Sequence, residues 1–226
     1  EPVPELQAVR QAIEESLRRV IQADDVRAFF DVQSDDLCIE IHGDTVTSLS
    51  LHQLSDGYRT TLGMVADIAY RMAQLNPQYG GDAVEKTCGV VLVDEVDLHL
   101  HPKWQARILG DLTGIFPRVQ FIVTTHSPAV IASVTREKLR SFTKGGVVAI
   151  PGNQTYGRDV SSIFREVMDA PERPEKVRHL FREAEEALDD ERFEDARKMI
   201  EHLEEQIGQN DPQLTELKTS LYLSEL

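Results

Sequence analysis

The chain has 226 residues, which is enough for one large domain or two small ones with a substantial hydrophobic core. Asp and Glu number 39 against 24 Lys and Arg, and the net charge of −15 argues against a protein whose whole surface coats nucleic acid or an anionic membrane. No apolar run is long enough to span a bilayer, and Cys38 and Cys88 are too far apart to form a zinc or redox motif. These features predict a globular protein of the reducing cytoplasm.

The first third of the chain predicts helices around a small antiparallel sheet. Apolar residues at helical spacing predict an amphipathic helix over 5–22, and a second helix is predicted over 57–75. Between them, short alternating stretches separated by turn residues predict three strands. These strands cover 26–32, 37–42 and 45–49. Residues 76–87 are polar and rich in turn formers, which predicts a loop.

The middle of the chain has the pattern of an α/β layer. Gly89–Val93 is a continuous, mostly β-branched run, typical of a strand buried on both faces of a parallel sheet. A second buried strand is predicted over 119–124, with helices at 102–114 and after the second strand, and a further strand near 146–150. Strands that alternate with helices at this spacing predict an α/β layered sheet.

The last part of the chain, over 158–226, is acidic and has helical periodicity almost throughout. Two apolar stripes lie on either side of a short break at 190–192, which predicts a helical hairpin. Asp211 followed by Pro212 predicts the cap and first turn of a final helix. We therefore expect two domains, an α/β domain over 1–154 and a helical subdomain over 155–226.

Two adjacent carboxylates follow the first buried strand, in the segment VVLVDE. Asp94 directly follows the apolar run, and the carboxyl ends of strands form the ligand-binding edge of an open α/β sheet. A carboxylate there can hold Mg²⁺ through water, because Mg²⁺ prefers oxygen ligands and keeps part of its water shell. Glu95, one residue further, can orient and deprotonate an attacking water.

A histidine follows the second buried strand, in the segment FIVTTHSP. His126 should emerge at the same edge of the sheet, where it can donate a hydrogen bond to a phosphate oxygen that gains charge. A histidine in this position is also commonly a helix cap or an ordinary loop residue. Its position alone leaves both interpretations open.

The segment LSDGYRT precedes the second predicted helix. Ser55 and the backbone N–H groups near Gly57 lie at a helix N-terminus, which favours anions, and Gly57 allows close backbone approach. The alternative is a plain N-cap formed by Ser55 or Asp56.

In order and spacing, these three motifs resemble the second half of an ABC-type ATPase head. LSDGYRT resembles the signature loop, VVLVDE resembles Walker B, and TTHSP resembles the switch-histidine loop. The segments DEVDLHLHPKWQ and FPRVQFIVTTHSP are similar to the RecF/SMC-like branch of AAA-type proteins. That branch includes predicted ATP-binding proteins and the ATPases of Septu-type and retron-associated phage defence.

The resemblance implies a role for each motif in binding and hydrolysing ATP with Mg²⁺. Asp94 would hold Mg²⁺ through water, Glu95 would be the catalytic base, and His126 would contact the γ-phosphate. The signature residues Ser55, Asp56 and Gly57 would contact the γ-phosphate held by a partner head, in a homodimer or higher homo-oligomer. His101 would lie in the D-loop, at a position where transporter heads have an aspartate.

One element of such heads is missing, because no GxxxxGK[ST] motif occurs in the 226 residues. In the family this P-loop precedes the motifs found here, and the chain begins at Glu1 rather than at a methionine. We therefore expect this chain to be the C-terminal part of a longer ATPase and to bind ATP weakly, if at all, by itself.

The leading functional hypothesis is an ATP-hydrolysing switch that controls an effector, such as a nuclease, in anti-phage defence. One alternative is a docking or scaffold module that recruits partners through the helical tail. Another is a RecF-like DNA-repair ATPase, which the net charge disfavours because the short basic clusters are limited to Arg18–Arg19 and Arg136–Arg140.

Two further kinds of site are less well supported by the residues. Asp97, His99 and His101 could suggest a metal site. No further ligand from a distant part of the sequence is evident, so the segment is interpreted as D-loop structure. A Toprim-type nuclease of the chain itself would need a DxD after a strand. The acidic cluster over 185–191 instead lies in a helix, where a solvated face explains it.

Overall fold

The computed structural model describes residues 4–21, 25–32, 35–42, 46–142, 146, 148–149 and 152–224. The chain forms two compact units, Glu1–Ile163 and Phe164–Leu226. The expected domain boundary after residue 154 stays a prediction, because compactness alone does not define a functional domain. Among the described helices, none combines the length and the apolar character that crossing a bilayer requires.

The first unit is a mixed α/β assembly, as the sequence predicts. Its elements in chain order are α1 (Pro4–Ile21), β1 (Asp25–Asp31), β2 (Asp36–His42), β3 (Val46–Ser50), α2 (Asp56–Leu75), α3 (Ala83–Lys86), β4 (Gly89–Val93), α4 (Pro102–Gln105), α5 (Ile108–Ile115), β5 (Val119–Val123), α6 (Pro128–Ala132), β6 (Ser141–Phe142), β7 (Val148–Ala149) and the beginning of α7 (Val160–Glu166).

Two helices and the antiparallel meander form one part of the core. The strands pair in the order β1-β2-β3, with Ala28 opposite Ile39. The buried face of this meander packs against Leu17 of α1 and Leu62 of α2, which are almost fully buried. Removing a side chain such as Leu17 from water stabilises the fold by about 1.5–3 kcal/mol. The helices and strands predicted for the first third of the chain are therefore confirmed, apart from positions 22 and 45, which lie outside the described residues.

The α/β layer is built on strands β4 and β5, which pair in parallel with Val93 opposite Val123. Their inward side chains, including Val91 and Phe121, pack against the core around α5. The opposite face is different, because Val90, Leu92 and Ile122 are 59%, 76% and 51% exposed. The expectation of burial on both faces is wrong for this chain, since the described residues cover only one face of these two strands.

Two local predictions also need correction. The loop predicted over 76–87 contains a 3-10 turn over Pro77–Asp82 and then helix α3, because the Pro77 turn and the short AVEK run wind the backbone. The single helix predicted over 102–114 is two helices, α4 and α5, which are separated at Ala106 and Arg107. Arg107, which occupies the N-cap position of α5 with a φ of −115°, marks the break between them.

The second unit is helical, as predicted. It consists of the end of α7 followed by α8 (Glu175–Asp189), α9 (Phe193–Ile207) and α10 (Pro212–Ser224). The two apolar stripes of α8 and α9 pack against each other and against α10. The buried residues that form this core are Phe181, Ala184, Ala187, Ala196, Ile200, Leu203, Leu214, Leu217 and Leu221.

Asp211 caps helix α10, which confirms its predicted position. Its Oδ1 accepts hydrogen bonds from the N–H groups of Gln213 at 3.1 Å and Leu214 at 3.2 Å, and Arg173 donates to it at 2.9 Å. Burial alone would raise the pKa of Asp211, but the bonds from Leu214 and Arg173 outweigh it and hold the pKa below its ordinary value. The folded second unit therefore favours the ionised carboxylate.

We expect the substitution Asp211→Asn to lower the stability of the second unit near pH 7 by about 1 kcal/mol, because it removes the ion pair with Arg173. A carboxyl with a depressed folded pKa stabilises above its unfolded pKa of about 3.9 and loses that contribution as the pH falls further. The gap in melting temperature between wild type and variant should thus narrow below pH 4. Thermal unfolding followed by circular dichroism from pH 7 to pH 2.5 measures this, with Glu216→Gln on the exposed side of α10 as control. A gap that stays constant over this range would contradict the assignment.

Candidate functional site

The parallel pairing of β4 and β5 brings the residues that follow both strands to one edge. The ladder continues for one step, with the Thr124 N–H donating to the Val93 carbonyl at 3.0 Å and the Val96 N–H donating to the Thr124 carbonyl at 3.0 Å. Because parallel strands end at the same edge, Asp94, Glu95 and the segment over 124–127 are neighbours. This is the arrangement that the two motifs predict.

Thr124 fixes the position of both carboxylate residues. Its hydroxyl donates a hydrogen bond to the Asp94 carboxylate, and its oxygen accepts one from the Glu95 N–H at 2.8 Å. Asp94 and Glu95 are both exposed. The edge therefore presents two accessible carboxylates. The hydroxyl of Thr124, which follows the neighbouring strand, binds the side chain of Asp94 and the backbone of Glu95.

The backbone of the segment 94–101, here called the acidic loop, turns sharply at Glu95. Glu95 has a φ of 50° and His99 a φ of 62°, both in the left-handed region. Such a conformation costs a non-glycine residue about 1–3 kcal/mol, and residues that adopt it tend to cluster at functional sites. The turn is closed by the Leu98 N–H, which donates to the Glu95 carbonyl at 2.9 Å.

The segment 124–127, here called the histidine loop, is bonded to the acidic loop directly ahead of His126, and a further bond within the loop spans His126. The Thr125 hydroxyl donates to the Asp97 carboxylate, and the Ser127 N–H donates back to Thr125 Oγ1 at 3.0 Å. Ser127 is buried, whereas His126 is exposed. The imidazole is thus presented to solvent from a loop that its neighbours hold in place.

The signature segment begins helix α2 and lies against the acidic loop. Ser55 occupies the N-cap position, and within the described part of the chain its hydroxyl forms no capping bond. Asp56 forms an ion pair with Arg59. A Cβ atom on the buried Gly57 would lie 2.6 Å from the carbonyl oxygen of His99, so only glycine permits this approach.

An aromatic pair extends this contact from α2 to α4. The rings of Tyr58 and Trp104 meet edge to face, with 4.1 Å between centroids, and burial raises the pKa of Tyr58. His101 is the N-cap of α4, and its Nδ1 accepts a hydrogen bond from the Lys103 N–H at 3.3 Å. The expected D-loop histidine thus begins a helix that packs against the signature segment.

The described residues at this edge fit an Mg²⁺ ion that Asp94 would hold through water, as the sequence predicts. Among the residues that the structure describes, no group of three or more His, Cys, Asp or Glu side chains could hold a metal ion. Asp94 is an exposed carboxylate oriented by a hydroxyl, which suits an ion that keeps its waters and takes its other ligands from a phosphate. Asp97, which the metal alternative would use, is instead bonded to Thr125.

Sequence reasoning missed the polar side chains that join the two loops. Across the strand ends, Thr124 donates a hydrogen bond to Asp94 and Thr125 donates one to Asp97. The Ser127 hydroxyl donates to Gln105 at 2.8 Å. The available signal was the pair of threonines directly after a buried strand. Threonine hydroxyls directly after a strand can bond the residues that follow the adjacent strand. A loop that only connects two elements has no need of hydroxyls at these positions.

Three curated relatives are named as probable ATPases of retrons or as a Septu protein. The chain is 37% identical over 178 residues to "Retron Ec83 probable ATPase" of Escherichia coli, which covers 77% of this chain and 32% of that protein. It is 37% identical over 131 residues to "Retron Vc95 probable ATPase" of Vibrio cholerae serotype O1 biovar El Tor, covering 57% and 25%. It is 40% identical over 98 residues to "Septu protein PtuA" of Bacillus mycoides (strain KBAB4), covering 43% and 13%. The chain therefore spans a third or less of the length of these curated relatives.

A solved structure matches a large part of the fold at low sequence identity. It comes from work described as "Structural biochemistry of ATP-driven dimerization and DNA stimulated activation of SMC ATPases", and the match covers 72% of this chain and 88% of that chain. The sequence identity is 16% and the TM-score is 0.41.

The family match spans the residues that form the candidate site. The family described as "AAA domain, putative AbiEii toxin, Type IV TA system" matches residues 5–132, which run from α1 to the end of α6 and include both loops and the signature segment. Because this match covers more than half of the 226 residues, the chain belongs to that AAA-domain family.

Proposed function

We propose that this chain is the catalytic part of an ATP-hydrolysing switch that acts in anti-phage defence. The observation that carries the proposal is the parallel pairing of β4 with β5, which aligns Asp94, Glu95 and His126 at one edge. The names of the relatives from retron systems, which describe probable ATPases, support the same activity.

In this proposal each residue at the edge has one task during hydrolysis. Asp94, held by Thr124, would hold the Mg²⁺ that accompanies ATP through a water, and the ion would supply positive charge that neutralises the phosphates. Glu95 accepts a proton from the water that attacks the γ-phosphate, whose bond to the β-phosphate oxygen then breaks. His126 donates a hydrogen bond to the γ-phosphate oxygens as their charge redistributes.

The phosphate-binding loop would come from polypeptide outside these 226 residues, which contain no GxxxxGK[ST] motif. Two observations support this part of the proposal. The relatives are about three or more times longer than the matched part. The outer face of β4 and β5 exposes Val90, Leu92 and Ile122, and a parallel pair of strands normally has both faces covered.

Assembly and regulation are part of the same proposal. Two heads would close head to tail, with Ser55, Asp56 and Gly57 of one head contacting the γ-phosphate held by the other. The exposed hydroxyl of Ser55, at the N-terminus of the 20-residue helix α2, suits an anion supplied from outside the chain. Closure and opening of the heads would control a partner effector, for which a nuclease is the proposed class, in the cytoplasm.

The alternatives have less support. A docking module that acts through the apolar stripes of the tail would need those stripes to be free, but they pack within the second unit. A DNA-repair ATPase would need basic clusters that are available for phosphates. Arg18 and Arg19 both pair with Glu15, and Arg136 pairs with Glu137.

The Mg²⁺ dependence of hydrolysis tests the proposed role of Asp94. In the protein joined to its P-loop segment, we expect Asp94→Asn to raise the Mg²⁺ concentration for half-maximal ATP turnover roughly 10- to 100-fold, as for outer-shell ligands elsewhere. The matched control is Asp67→Asn, an exposed carboxylate of α2 that pairs with Arg71. An unchanged Mg²⁺ dependence in Asp94→Asn, or an equal change in the control, would defeat the assignment.

A further inference from the structure

One side chain outside the three motifs holds the two loops of the candidate site together. Gln105 is the last residue of α4, and its Nε2 donates to the carbonyl of Asp97 at 3.3 Å and to that of Leu100 at 3.0 Å. Its Oε1 accepts a hydrogen bond from the Ser127 hydroxyl at 2.8 Å. A single amide group therefore binds the acidic loop with its donors and the histidine loop with its acceptor.

The chemistry of the partners fixes the orientation of this amide. The carbonyls of Asp97 and Leu100 can only accept, so they require the NH₂ group of Gln105. The Ser127 oxygen already accepts from the Val130 N–H at 3.3 Å, as the cap of α6, so its proton is free to point at Oε1. Reversing the amide would place its NH₂ group against the Ser127 O–H and its oxygen against two carbonyl oxygens.

The hydrogen bonds of Gln105 connect the loops that contain His126 and Glu95, the two residues with proposed catalytic roles. His126 lies between Thr125, whose hydroxyl binds the Asp97 side chain, and Ser127, whose hydroxyl binds Gln105. On the other side, Gln105 contacts the acidic loop two and five residues beyond Glu95, at the carbonyls of Asp97 and Leu100. The two loops thus have a second link, in addition to the contacts made by the threonines.

We infer that Gln105 is a positioning residue that fixes His126 relative to Glu95. The amide touches neither the proposed substrate nor the reacting atoms, and it acts by holding the histidine loop and the acidic loop as one rigid piece. The catalytic consequence rests on the proposed function, whereas the positioning itself is a property of the chain. Misplacement of catalytic groups by about 1 Å can cost roughly 100-fold in rate, so such a link is worth retaining.

Amide hydrogen exchange of the 226-residue chain tests the positioning without nucleotide. In Gln105→Ala we expect exchange at Leu100 and at Ser127 to rise at least about tenfold, since local opening becomes easier. The isosteric Gln105→Glu keeps the acceptor for Ser127 but has no N–H for the two carbonyls. We expect it to raise exchange at Leu100 and to leave Ser127 within about twofold of wild type. The control is Gln74→Ala, which replaces an exposed glutamine of α2 that donates a hydrogen bond to Tyr70 one turn earlier.

Steady-state kinetics of the ATP-hydrolysing protein test the catalytic consequence. Gln105→Ala should lower kcat roughly 10- to 100-fold and leave KM for ATP within about twofold, because it disturbs the reacting groups rather than nucleotide binding. Unchanged exchange at both loops in Gln105→Ala would overturn the inference, and so would an unchanged kcat in an active enzyme. A wild-type protein without ATPase activity would instead defeat the proposed function, and the exchange data would still decide the positioning.

Discussion

Replacing Glu95 with glutamine is expected to lower ATP turnover by roughly 10²- to 10⁴-fold, the usual contribution of a general base, while ATP still binds. The glutamine has the same shape and can still accept the hydrogen bond of a water, but it takes up no proton near neutral pH. The Glu95 N–H donates to Thr124, and the backbone of Glu95 has a φ of 50°. The direction of the Glu95 side chain beyond the end of β4 is therefore defined. The substitution should therefore change the chemistry and not the geometry.

The measurement is phosphate release at saturating ATP, together with an equilibrium binding assay for ATP. Glu85→Gln is the matched control, because Glu85 is an exposed carboxylate on α3, ahead of β4 and outside the site. Equal turnover in wild type and in Glu95→Gln would remove Glu95 from the mechanism. A loss of ATP binding as large as the loss of turnover would assign it to binding instead.

Gly57→Ala is expected to destabilise the first unit by about 1–3 kcal/mol, the usual cost of forcing an extra methyl group into a packed site. The added Cβ would lie 2.6 Å from the carbonyl oxygen of His99 and 3.7 Å from the Cα of Leu100. Both atoms belong to the backbone, which is less free to move than the end of a flexible side chain. The start of α2 and the acidic loop must therefore separate, which should lower ATP turnover as well.

Gly63→Ala, on the same helix, is a control for which we expect the opposite effect on folding stability. Among the described residues, a Cβ at Gly63 meets no atom within 4 Å beyond its chain neighbours and the local helix backbone, so alanine there should stabilise the helix by about 0.5–1 kcal/mol. Urea unfolding of the two variants measures both effects with one assay. A Gly57→Ala variant that is as stable as Gly63→Ala would show that the close contact between α2 and the acidic loop does not form.

The position of the candidate site could be predicted because two of its motifs directly follow apolar runs that the sequence identifies as strands. A run such as GVVLV predicts a strand independently of its surroundings. The residue that follows it must then lie at the edge of the sheet where the strand ends. The same logic places His126 after β5, and the parallel pairing of Val93 with Val123 confirms the register that both predictions need. The chemical roles of these residues stay predictions until hydrolysis is measured.

Other features could not be predicted, because they depend on what lies nearby in space. An apolar run does not reveal whether one or both faces of a strand are covered, and the exposed Leu92 demonstrates the difference. The break between α4 and α5 was missed because Ala106 and Arg107 are good helix formers by themselves. The role of Gln105 depends on three partners from two loops, of which Ser127 lies 22 residues away in sequence.

The central claim is that Asp94, Glu95 and His126 face the same triphosphate. A crystal structure of the Glu95→Gln variant, joined to its P-loop segment and grown with ATP and Mg²⁺, tests this most directly. We predict that the ion lies one water away from the Asp94 carboxylate and that the γ-phosphate lies within hydrogen-bond distance of His126. A nucleotide bound away from the carboxyl ends of β4 and β5, or an imidazole turned away from its phosphates, would contradict the claim.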